Sequence, residues 1–185
     1  RGILHNDSRQ IVRPWAGKSW GTWALQCKDN QRNGEVFSEG SYSELFFLDE
    51  ATAFAAGHRP CNYCRKPRYA EFKNAWLAAN RPDAVGNTLI TEVDKVLHAE
   101  RAIPGGGKVM FSAAVNDLPP GTIFEHENAE FLVWKGAIHR WSFSGYAPSS
   151  FHIGAQPVNV LTPASIVRMY ANGFIPCVHA SAGPV

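Results

Sequence analysis

Cys61 and Cys64 stand three positions apart in the stretch AAGHRPCNYCRKPRY (55–69), together with His58 and four basic side chains, Arg59, Arg65, Lys66 and Arg68. A C-x-x-C turn can aim both sulfurs at one tetrahedral zinc ion, at about 2.3 Å each. Pro60 stiffens the approach to the turn. Pro67 opens a helix just beyond it, so the positive end of a helix macrodipole faces the thiols. The four basic residues would offset the negative charge of a thiolate-rich centre. Two other chemistries stay open: a redox dithiol and a pair of plain thiols. Thioredoxin-like pairs follow a strand directly, with the first cysteine opening a helix. Here a helix, Gly57 and His-Arg-Pro come first, which favours metal. Zn2+ is therefore the expected cofactor. One pair supplies half of a four-ligand site, and His5, Cys27, His58, Cys177 and His179 are the candidates for the rest.

A second group is VDKVLHAER (93–101). On a helix, Asp94 and His98 are four apart, and His98 and Arg101 three apart, so the three share a face. Asp94 would then orient His98 and raise its pKa, giving an acid/base pair that works near neutrality. The plainer reading is a solvated helix face with ordinary charge pairs. In AIHRWSFSGY (137–146), His139, Trp141 and Phe143 alternate onto one strand face, either as core or as a surface on which a ring stacks. GGGK (105–108) fails the phosphate-loop spacing, and no nucleophile elbow, H-E-x-x-H or dinucleotide fingerprint is found.

These groups need elements to position them. A chain of 185 residues, 45% hydrophobic and 18% charged, suits one packed domain. A net charge of +2 is too mild to indicate nucleic acid unless the positive charge is local. No apolar run approaches the ~20 residues of a membrane span. Four cysteines with one C-x-x-C pair fit a reducing, cytoplasmic setting better than a disulfide scaffold. No leader is visible, although the sequence opens on Arg1 and a trimmed one is compatible with that.

The pattern predicts strands over 19–28 and 44–48, with an Asn33-Gly34 hairpin signal between them. It predicts a helix over 50–56, capped by Asp49 and stopped at Gly57, and another over 67–80 with Tyr69, Phe72, Ala75, Trp76 and Ala79 as its apolar stripe. A linker (81–88), a third helix (89–102) and a flexible turn (103–108) follow. From Leu118 the chain reads as a β-meander broken at His126–Ala129 and at Lys135-Gly136. A strand (158–161) and a last helix, opened by Thr162-Pro163 and stopped at Gly173, complete it. The segment FFLDEATAFAAGHRPC is echoed by VNVLTPASIVRMYANGFIPC: strand, cap, helix, Gly, two residues, Pro, Cys. Shared β-cap-helix grammar or a pseudo-repeat would each produce this.

The stretch FFLDEATAFAAGHRPCNYCR (46–65) also resembles the end of the N-terminal metal-binding domain of the Ada methyl-phosphotriester repair family. Gly57, Arg59, Pro60, Cys61 and Cys64 match that family's turn, and the resemblance spans roughly 45–66. It implies zinc held by four ligands and a role on DNA. The family's first cysteine pair has no counterpart here as a pair. Cys27 alone lies in the right region, which leaves His5 to fill the fourth position. The whole chain also looks similar to bacterial proteins carrying this turn.

The expected architecture is α+β. A metal-binding half with two helices (1–102) packs beside an antiparallel meander and closing helix (103–185), as one domain. The leading function is a zinc-binding intracellular protein with a nucleic-acid-related role, in which Cys61, Cys64, Cys27 and His5 hold metal and Arg59, Arg65, Lys66 and Arg68 meet phosphates. One alternative is a small enzyme using His98, Asp94 and Arg101 in a pocket walled by Trp141 and Tyr146. Another is a zinc-stabilised interaction module.

Overall fold

Asp49 begins the first helix through a reciprocal cap. Its carboxylate accepts the Thr52 N–H at 2.8 Å, while Thr52 Oγ1 accepts the Asp49 N–H at 3.0 Å. The computed structural model of the protein describes residues 2–25, 35–84, 88–151, 154–155 and 157–183. In chain order the elements are β1 (Gly21–Thr22), α1 (Glu50–Ala55), β2 (Arg59–Pro60), α2 (Lys66–Asn80), α3 (Ile90–Ala99), β3 (Phe111–Ala114), β4 (Ile123–His126), β5 (Ala129–Trp134), β6 (Ala137–Ser142), β7 (Gly145–Pro148), β8 (Pro157–Val160) and α4 (Ala164–Ala171). The class is α+β, with a six-stranded antiparallel sheet in the order β3-β8-β4-β5-β6-β7.

The meander β4 to β7 follows from its turns. Glu127-Asn128 and Lys135-Gly136 are two-residue loops whose central residues all have φ between 49° and 74°. That left-handed backbone matches the twist of an antiparallel hairpin. Register then sorts the side chains. Phe124, Phe131, Val133, Ile138, Val158 and Val160 build one apolar cluster, closed by Val115, Leu118 and Phe151. Ile123, Leu132, Trp134 and Tyr146 build another with Ala51 and Ala55 of α1. Ile123–Phe124 of β4 and Phe131–Trp134 of β5 are thus buried on both faces and run on without a polar alternate, whereas β8 alternates buried with exposed.

α1 is the hinge between layers. Ala51 and Ala55 meet the sheet, whereas Ala53 and Phe54 enter a helical core with Phe72, Trp76 and Leu77 of α2, Val93 and Leu97 of α3, and Ile166, Met169 and Tyr170 of α4. The last helix therefore closes the helical core of the first half, and only Val167 joins the sheet cluster beside it.

Two expectations change, and one strand was not foreseen. Residues 44–48 are not a strand: among the described residues nothing pairs with them, Leu45 and Phe46 are exposed, and Phe47 turns in against the helical core. Of the strand expected over 19–28, the described residues 19–25 form only Gly21–Thr22, which pairs in parallel with Arg59–Pro60. Asn33-Gly34 and Cys27 lie outside the described residues. The edge strand β3, of sequence FSAA, carries no apolar alternation by which it could have been read.

The echoed segments close alike. After α1, the Gly57 N–H meets Phe54 O at 2.8 Å and the His58 N–H meets Ala53 O at 2.9 Å; after α4, Gly173 meets Tyr170 O at 2.9 Å and Phe174 meets Met169 O at 3.2 Å. Both are Schellman closures on a left-handed glycine, each followed three residues later by Pro-Cys. At Gly57 the space is also taken. A Cβ there would lie 2.2 Å from Arg101 Cδ, in a side chain that is itself buried, whereas a Cβ at Gly136 meets nothing. Both glycines have positive φ, which alone costs an alanine about 1–2 kcal/mol. Urea denaturation should therefore show Gly57→Ala losing at least about 1 kcal/mol more than Gly136→Ala, because overpacking adds to the backbone strain.

Candidate metal centre and aromatic cleft

The C-x-x-C turn is delivered by the short β1–β2 pairing. The Arg59 N–H bonds Trp20 O and the Cys61 N–H bonds Thr22 O, both at 3.0 Å, and the Arg65 N–H closes the turn on Cys61 O at 3.1 Å. α2 begins immediately beyond, with Pro67 in its first turn. Each sulfur accepts a backbone N–H: Tyr63 N–H on Cys61 Sγ at 3.4 Å, and Ala24 N–H on Cys64 Sγ at 3.2 Å. Backbone N–H groups directed at sulfur are hydrogen bonds that a metal-bound cysteine sulfur can accept. Cys61, Cys64 and Cys177 are not joined in disulfides. On donor chemistry, the two thiols fit one half of a zinc site.

The other half is not assembled among the described residues, where no group of three His, Cys, Asp or Glu side chains is placed to hold an ion. His5 is buried and stacked on Phe37 at 4.8 Å. Its Nδ1 lies 2.6 Å from Ser43 Oγ and its Nε2 lies 3.3 Å from Ser38 O. Both nitrogens are engaged, so His5 is a packing residue and does not join the thiol pair. Cys27 lies outside the described residues, two residues past Leu25. His58 is buried between Trp20 and Phe47, with ring centroids at 5.1 and 4.7 Å. Cys177 and His179 flank the N-terminus of α1. The His179 N–H bonds Asp49 Oδ2 at 3.0 Å, and the Cys177 N–H bonds Glu50 Oε2 at 2.9 Å.

Three of the four basic side chains around the turn are bound inside the protein. Arg59 makes a two-pronged pair with Asp94, 2.8 Å on each prong, and both side chains are buried. Its Nη2 also donates to Ser19 Oγ at 2.9 Å. Glu50, 5% exposed, receives Arg65 and Arg68 together. Burial alone would raise the Glu50 carboxyl; Arg68, the Cys177 N–H and Arg65 outweigh it and hold the group below the usual carboxylate range. Arg68 also stacks on Phe174 at 4.3 Å and donates to Ile175 O at 2.8 Å. Lys66 remains exposed, and Arg65 keeps a quarter of its side chain in solvent.

The expected acid/base group is not formed. Asp94 points to Arg59, not to His98. The ring neighbours of His98 are Trp15, edge-on at 5.3 Å, and Trp20 at 6.2 Å. Burial, then Arg101 and Lys18, push its pKa below 6.5, the reverse of the expected rise. Arg101 is a buried brace. It donates to Gly57 O and, at 2.5 Å, to Lys18 O, and it stacks on Trp20 at 3.8 Å. Burial holds the guanidinium down to about 9. Trp141 and Tyr146 pack with Ile123, Leu132 and Trp134 in the sheet cluster.

What the sequence did not announce is a cleft of about 1130 Å³ beside the turn. Its wall carries Trp23, Tyr42, Phe46 and Tyr63, with Cys61 and Lys66 at the same mouth. These rings are 48%, 53%, 67% and 61% exposed. The run LFF (45–47) is the one signal that pointed there: apolar residues that neither pair as a strand nor fully bury. No known protein family matches the chain, nor does any curated protein or solved structure.

Removing one side of a buried pair strands the other charge, at a cost of about 3–5 kcal/mol. Asp94→Ala should lower unfolding free energy by that amount, and Arg59→Met with Asp94→Leu by clearly less, in a urea double-mutant cycle. His98 binds protons more readily unfolded than folded, so its contribution to stability is complete above about pH 6.5 and is lost as pH falls through the lowered folded pKa. His98→Gln should flatten that acid limb in thermal melts, and the imidazole should titrate below 6.5 by NMR.

Proposed function

We propose that this is a zinc-thiolate protein of the cytoplasm with a nucleic-acid-related role. Cys61 and Cys64 would grip the ion and Cys27 would add a third thiolate from the segment that follows β1. The observation that carries this is the pair of backbone amides, Tyr63 N–H and Ala24 N–H, each directed at one of the two sulfurs. The ion would supply a clamp rather than a reaction: it would tie the end of β1 to the start of α2 at a place held otherwise by a two-residue strand pair. Metal binding then contributes to folding free energy. Among the described residues Cys61, Cys64 and Cys177 stand outside disulfides, which fits a reducing compartment. The nucleic-acid role is supported by exposed Lys66 and partly exposed Arg65 beside the turn, and by the aromatic wall next to them. Asp94 facing Arg59 removes the support that an acid/base enzyme centred on His98 would need.

Protein purified without added chelator should carry about one zinc per chain by elemental analysis. Excess chelator should lower its melting temperature, and Cys64→Ser should lose both the metal and the chelator response. A preparation that is metal-free, folded and indifferent to chelator overturns the zinc assignment.

A further inference from the structure

Resting on the nucleic-acid reading above, we propose that the cleft takes a single strand, held by stacking of unpaired bases on Trp23, Tyr42, Phe46 and Tyr63. Charge settles the end at which a backbone would lie. Within the cleft, Glu44 accepts the Phe37 N–H at 2.9 Å, Asp49 is occupied by the Thr52 and His179 amides, and Glu50 is buried under two arginines. Each of these carboxylates is engaged by a group of the protein, while Lys66, which lines the same cleft as Tyr63, is exposed. The charge left in solvent there, on Lys66 and part of Arg65, is positive and suits an anionic backbone.

The same charge count disfavours a duplex. Arg59 and Arg68 are spent internally and Arg65 largely so, which leaves one or two cations for phosphates among the described residues around the turn. A duplex binder depends on several such contacts, and a duplex hides its base faces in the stack. Aromatic rings can stack on base faces only where the bases are unpaired. Each base stacked on an aromatic ring is worth about 1–3 kcal/mol by alanine substitution, or roughly five- to 150-fold in affinity. Ring stacking would therefore carry the binding, with charge as a minor part.

Fluorescence anisotropy of labelled (dT)10, (U)10 and a ten-base-pair duplex, using the zinc-loaded protein, tests this. At least one of the single strands should bind ten or more times tighter than the duplex. The slope of log K against log salt should be about −0.7 to −1.4, as one or two single-strand phosphates give. Tyr63→Ala and Phe46→Ala should each weaken single-strand binding about fivefold or more without moving the melting temperature, since both rings are mostly exposed. Duplex bound as tightly as the single strands, a slope steeper than about −3, or ring variants that bind normally would overturn the single-strand assignment and leave the nucleic-acid reading standing. If neither single strands nor duplex bind, both fall, and the outcome is the same if only a proline-rich decapeptide binds.

Discussion

A single buried carboxylate ties together the parts of the chain that matter most. Glu50 is the first residue of α1, where the helix dipole favours negative charge. It accepts Arg65 and Arg68 from the start of α2 and the Cys177 N–H from the segment after α4. Burying a carboxylate is expensive, and a well-formed set of charge-assisted hydrogen bonds is what offsets it. The arrangement is demanding: α1, the C-x-x-C turn and the 175–177 segment must all arrive together. That constraint fixes the direction in which the turn points, and with it the mouth of the cleft.

Arg59 and Asp94 repeat the principle one step further in. The side chain just before Pro60 reaches into the protein while the backbone carries on to Cys61. The turn is thus anchored through charge on one side and through the β1–β2 amides on the other. A site made of two thiols and two short strands has little apolar surface of its own. It borrows rigidity from ion pairs to two buried carboxylates, Asp94 and Glu50, which is why three of the four basic residues around it serve the fold first.

Much of the frame was legible. Asp49, Gly57, Pro67 and Gly173 mark helix ends through side-chain capping and backbone handedness, which are local and readable from residue type. The meander was legible because its turns are two residues long. Residues 44–48 misled because an apolar run reads the same whether it forms a strand, a core loop or a cleft wall. Asp94 misled because helix spacing says which side chains share a face, not what lies opposite that face. Its partner came from 35 positions earlier in the chain, across a tertiary contact that no period reveals. His5 matched a ligand by type and was claimed instead by Ser43 and Phe37. The cleft was invisible for a related reason: its wall gathers rings from 23, 42, 46 and 63, which only folding places side by side.

The position of α4 has a consequence for how the protein is made. Ile166, Met169 and Tyr170 fill the same core as Phe54, Phe72 and Trp76. During synthesis the first hundred residues would leave the ribosome with that core open on one side, its aromatic faces wet until the last helix emerges. Chains of this topology complete that core only once α4 has emerged, and the interval exposes Trp76 and Phe72 to chaperones and to other nascent chains.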